Sequence, residues 1–223
     1  MSFLGFKNNF FVKPLSFLYN FQNIYKDINI SCFENELLIK NIDLAFDSWR
    51  NNPWSKSYDF TTFCDYILPY RSLTEPLEDW REEYQFLVSS TSTAVQSNNL
   101  PVEVGTSVLS SLKNFKFLDS RPDPIPFLSP KQLLFRREGS CNDLANLAIL
   151  ACRSVGLAVT FDFTPFYGAS SNKHFWNTII TEKGEHIPFN GISSDNAEGL
   201  PYNYKPTQKR LAKVYRKTYS IQQ

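Results

Sequence analysis

Hydrophobic and polar positions follow two different periods along this chain. In ENELLIKNIDLAFDSWRNN, Leu37, Ile39, Ile42, Leu44, Ala45 and Trp49 recur near helical spacing, which predicts a helix ending close to Asn51 and Pro53. SYDFTTFCDYILPY predicts a short helix over about residues 60–68. TEPLEDWREEYQFLVSS predicts another, with Thr74 as its cap. Residues 100–115 add one more. The next stretch, LDSRPDPIPFLSP, holds four prolines and reads as an irregular connection, because proline removes a donor and breaks helical pairing.

Beyond that connection a helix is expected from Ser140 to Val155, followed by the alternating runs AVTFDF, HFWNTII and EHIPFN. Alternation of this kind marks half-buried strands. The order is therefore helix, then antiparallel sheet, and the fold class is α+β. A mainly helical region over 1–120 precedes a chemically distinct one over 121–223, and the two are expected to pack as one compact unit.

Composition narrows the function classes. With 42% hydrophobic residues, 20 Phe and 11 Tyr, the 223-residue chain can bury an ordinary core and line a groove with rings. Lys plus Arg total 23 against 22 for Asp plus Glu, so no net field recruits nucleic acid. The basic run from Lys205 to Lys217 reads as a solvated face or a tail. No apolar stretch is long enough to insert in a membrane, and the chain as given reads as soluble.

Cys32, Cys64, Cys141 and Cys152 lack the spacing of a zinc knuckle or a disulfide framework. On one helix, Cys141 and Cys152 stand roughly 15 Å apart, too far to share one metal ion. No metal or cofactor is expected. Cys32, Cys64 and Cys152 read as packing residues. Cys141 differs because it opens a helix. Ser140 and Asp143 form a capping-box pattern around it, so its thiol faces unpaired amide donors and the positive end of the helix dipole. That effect supplies only about 0.3–1 kcal/mol, less than one pKa unit, and Asp143 opposes it. A reactive thiolate needs a histidine.

The chain has His174 and His186. His174 opens the strand HFWNTII, while His186 lies nearer the turn and reads as a surface residue. Asn190 ends the next strand. If Glu182, Lys183 and Gly184 form a three-residue hairpin loop with Gly184 left-handed, Thr181 faces Glu185, Trp176 faces Asn190, and His174 shares their face. A two-residue loop would send Asn190 to the other face.

GSCNDLANLAILACRSVGLAV followed by HFWNTIITEKGEHIPFNG resembles the transglutaminase-like superfamily core: a cysteine at a helix start, a His-x-Trp strand, and an acidic or amide residue on the next strand. The likeness covers about residues 130–192. It implies a transglutaminase-like, papain-like α+β core with an N-terminal helical elaboration, in which Cys141 is the nucleophile, His174 the general base and acid, and Asn190 the orienting group. The commonest third residue in that superfamily is Asp, and Asp195 is the alternative here; papain-like enzymes use an amide. Gln132 and Trp176 are candidates for the oxyanion site or the cleft.

The expected chemistry is acyl transfer or hydrolysis on a peptide or protein amide, without a cofactor. The rival is a non-catalytic module of the same fold that binds a peptide or glycan in an aromatic cleft. The resemblance further implies a domain of the sort found in larger extracytoplasmic proteins.

Overall fold

A computed structural model describes residues 32–91, 100–121, 127–166, 172–191 and 212–219. Helix α1 (Cys32–Asn51) leads into α2 (Phe60–Thr62), which continues as a π-helical turn over Phe63–Ile67. Asp59 caps α2 by accepting from the Thr62 N–H at 2.7 Å. α3 (Arg81–Thr91) and α4 (Pro101–Ser111) complete the first half. β1 (Lys116–Phe117), α5 (Pro130–Arg136), β2 (Glu138–Gly139) and α6 (Cys141–Ser154) follow. β3 (Val159–Thr164), β4 (His174–Ile180), β5 (His186–Phe189) and β6 (Tyr215–Arg216) then form one antiparallel sheet in the order β5-β4-β3-β6. The architecture is α+β.

Two expectations need correction. α3 begins at Arg81, not after Thr74, because Glu75 turns the chain first. Its buried carboxylate accepts from the Ser72 and Leu73 amides at 2.7 and 2.8 Å, and Pro76 follows it. The proline-rich connection also hides a helix. Ser129 and Gln132 form a capping box around Pro130, where a missing N–H costs nothing because that donor has no helical partner. Of the prolines in the connection, Pro122, Pro124 and Pro126 lie outside the described residues.

Helix α6 is the axis of the molecule. Ala145, Leu147, Ala148, Leu150 and Ala151 are strong helix formers, and every residue from Asp143 to Ser154 is buried. Its far end closes in a Schellman arrangement, with Leu157 N–H donating to the Cys152 carbonyl at 2.9 Å and Gly156 N–H to that of Arg153 at 3.1 Å. Gly156 is left-handed at φ +77°, and a side chain there would also strike the Ser48 carbonyl at 2.9 Å. Trp54, Tyr84, Val108, Leu147, Phe161 and Phe189 belong to one apolar cluster, so side chains from both sides of residue 120 share a core. Each fully buried Leu, Ile or Phe contributes about 1.5–3 kcal/mol.

Two buried guanidiniums lock the N-terminal helices to the far end of α6. Arg81 donates to Asn41 Oδ1 (2.9 Å), the Arg153 carbonyl (2.7 Å) and the Ile67 carbonyl (3.1 Å). Arg153 donates to the carbonyls of Tyr66, Pro69 and Arg71 and lies 4.4 Å over the Tyr219 ring. Burial lowers the pKa of both, that of Arg81 to about 9. Removing either would leave several carbonyls without donors, each costing about 1–3 kcal/mol.

Candidate functional site

Cys141 begins α6 as expected, with Ser140 at the N-cap. Asp143 Oδ2 accepts from the Ser140 amide at 2.9 Å and from its hydroxyl at 2.6 Å. Gly139 must be glycine for this cap, since an added Cβ would lie 2.6 Å from Asp143 Cβ. Arg121 Nε stands 2.7 Å from the same oxygen in a pair that is almost wholly buried. The opposition to the thiolate expected from Asp143 is therefore met by a neighbouring cation, a contact between residues 22 positions apart.

The half-buried Cys141 sulfur is approached by three backbone amides: those of Asn142, Phe175 and its own residue. These donors, with Lys173 nearby, lower the thiol pKa, as expected for a helix start. Burial outweighs them, and the net shift is upward. Desolvation disfavours the thiolate more than the amides favour it, an effect absent from a reading of helix position alone. Phe175 is the residue after His174, so the thiol lies against the strand that carries the histidine.

The β4–β5 hairpin has the three-residue loop. Gly184 is left-handed at φ +75°, its amide donates to the Thr181 carbonyl at 3.0 Å, and the Thr181 amide donates to the Glu185 carbonyl at 3.0 Å. The ladder pairs Ile180 with His186, Ile179 with Ile187, Thr178 with Pro188 and Asn177 with Phe189. Continued by one residue, this register sets Asn190 opposite Trp176. Because side chains alternate along a strand, His174, Trp176 and Asn190 share one face. The His174 and Trp176 rings stack with centroids 5.8 Å apart and planes 22° from parallel. All three side chains are half-buried.

The remaining candidates separate. Gln132 spends its side-chain oxygen on the Ser129 amide at 3.0 Å in the cap of α5. His186 is exposed, with Nδ1 2.6 Å from Arg216 Nη1. Cys152 and Cys64 are buried. Asp195 and the side chain of Cys32 lie outside the described residues. Among the described residues, no three His, Cys, Asp or Glu side chains cluster in a way that could hold a metal ion. No helix among them is long and apolar enough to cross a membrane.

Two residues at the site escaped the sequence reading. Asn177, fully buried on β4, donates to the Ala145 carbonyl on α6 at 3.0 Å. Gly191 packs where a Cβ would meet Asn177 Oδ1 at 3.1 Å, the Leu144 carbonyl at 3.2 Å and Ala145 Cα at 3.3 Å. A buried amide within an apolar run and a glycine directly after Asn190 were the available signals.

None of the curated proteins matches the chain. Among solved structures it is similar to a "Putative Cysteine Protease" from Cytophaga hutchinsonii, at 16% identity and a TM-score of 0.39. The match covers 62% of this chain and 48% of that one, so the chain spans about half the length of that protein. The family model described as the transglutaminase-like superfamily matches residues 91–191. That segment, somewhat under half of the chain, is what is similar to the superfamily, and it contains the helix of Cys141 and the hairpin of His174 and Asn190.

Proposed function

We propose that the protein is a thiol-dependent amide hydrolase with Cys141 as nucleophile, His174 as general acid and base, and Asn190 as the group that orients the imidazole. The observation that carries this reading is the approach of the Phe175 amide to the Cys141 sulfur, which sets the thiol against the start of the His174 strand. The hairpin register supports the role of Asn190.

In the proposed reaction, proton transfer from thiol to imidazole gives a thiolate–imidazolium pair. The thiolate adds to the carbonyl carbon of a peptide or carboxamide, forming a C–S bond and placing negative charge on oxygen. The backbone amides of Cys141 and its first turn are suited to receive that charge. Collapse breaks the C–N bond as the His174 imidazolium gives its proton to the leaving amine. Water, losing a proton to neutral His174, then attacks the thioester; the C–S bond breaks and the acid leaves. An amine in place of water would give transamidation. Stacking on Trp176 limits rotation of the His174 ring, which favours orientation before reaction.

The rival reading, a non-catalytic binding module, draws on the burial that raises the Cys141 thiol. Alkylation by iodoacetamide across pH separates the two. For the enzyme, pairing with the His174 imidazolium more than offsets the burial, so that Cys141 labels with a midpoint below pH 7 and His174→Ala moves that midpoint above the free-thiol value of about 8.5. A wild-type midpoint at or above that value, unchanged in His174→Ala, would overturn the proposal.

A further inference from the structure

The sheet face toward α6, opposite the one that carries His174, Trp176 and Asn190, holds a row of rings that begins beside the thiol at the edge of β4. Phe175, Phe163 and Tyr215 are direct lateral neighbours on β4, β3 and β6. Their rings stack, with centroids 5.8 Å apart for Phe163–Phe175 and 5.6 Å for Phe163–Tyr215, and planes within 23° and 22° of parallel. The inner parts of Phe163 and Phe175 pack against the core, while Tyr215 is 40% exposed. The row is therefore partly buried at Phe175 and Phe163 and exposed at Tyr215 on the edge strand.

Each end of the row has a cation. Lys173 Nζ lies 5.8 Å from the Phe175 centroid and Lys213 Nζ 5.2 Å from that of Tyr215. Each lysine stands two residues before its ring, just ahead of the strand that carries it. Both are exposed, and among the described residues neither is salt-bridged. A surface that pairs stacked rings with exposed ammonium groups complements an apolar side chain flanked by a carboxylate. It spans three strands, about 10 Å, which matches about three residues of an extended peptide.

We propose that this row is the acyl-donor subsite: it takes an extended peptide with a large apolar side chain and an acidic residue beside the amide presented to Cys141. The inference rests on the thiol reading above for its catalytic meaning, and its test is independent of that chemistry. Binding is measured on the full chain carrying Cys141→Ala, by fluorescence anisotropy of a fluorescein-labelled Glu-Phe-Gln-Gly peptide. Replacing Phe by Ser in the peptide, or Tyr215→Ser in the protein, weakens binding about three- to tenfold, and Tyr215→Phe restores it. The double variant Lys173→Glu, Lys213→Glu prefers Lys-Phe-Gln-Gly instead. Equal binding of all peptides, an unchanged preference in the double variant, or stronger binding of a labelled single-stranded oligonucleotide would overturn the subsite. Loss of pH-dependent labelling at Cys141 with peptide discrimination intact would overturn only the thiol reading.

Discussion

Asn177 Nδ2 donates to the Ala145 carbonyl across 3.0 Å in the buried core, joining the strand that begins at His174 to the helix that begins at Cys141. The bond lies three residues past the histidine and four past the cysteine. It therefore fixes how far each element can slide against the other. Among the described residues Asn177 Oδ1 has no hydrogen-bond partner, so within them one bond holds the side chain at this site.

Asn177→Ala should cost about 1–3 kcal/mol, the range for losing a buried hydrogen-bond partner. Urea unfolding measures it. Because the bond sets the helix–strand spacing, the rate of Cys141 alkylation at pH 6.5 should fall as well, while the rate at pH 10, where His174 is not needed, should hold. Equal losses at both pH values would assign Asn177 to stability alone.

Gly191 tests the same interface from the β5 side. A methyl group here meets the Leu144 carbonyl at 3.2 Å and Ala145 Cα at 3.3 Å, both on the helix backbone, which cannot swing aside as a long side chain does. Gly191→Ala should cost about 1–3 kcal/mol by overpacking and shift the adjacent Asn190 relative to His174. The expected readout is a rise in the alkylation midpoint of Cys141 at temperatures where circular dichroism shows the fold intact. An unchanged midpoint would mean that Asn190 does not act on the imidazole.

The sequence made the chemistry-bearing elements legible because their signals are local. Ser140 and Asp143 cap the helix as read, and Gly184 set the parity of the hairpin through a single left-handed residue. What stayed hidden depends on contacts distant along the chain. Arg81 and Arg153 look like surface charges until carbonyls at Ile67 and at Tyr66, Pro69 and Arg71 surround them. The start of α3 lies beyond Thr74 because Glu75 answers to its own turn rather than to a helix. The α5 cap was masked by the neighbouring prolines. The upward shift of the Cys141 thiol is a burial effect, and burial is set by the whole fold, not by position in a helix.

The last prediction concerns the other cysteine of α6. Burial pushes the Cys152 thiol up to about 12, whereas in the unfolded chain it ionises near about 8.5. Below that lower value both states hold the proton and the stability contribution is constant. Above it the unfolded chain releases a proton that the folded one keeps, so this group alone lowers stability by about 1.4 kcal/mol per pH unit until the pH reaches the folded value. Tyr58 and Tyr84 are also raised by burial and add their own alkaline loss, so the contribution of Cys152 is read as a difference. Urea unfolding between pH 8 and 10.5 should show Cys152→Ala losing stability less steeply than the parent, by the equivalent of one proton. Its stability at pH 7 should be lower by about 0.5–3 kcal/mol from the lost packing. Parallel slopes for the two proteins would mean that the thiol ionises in the folded state with little penalty.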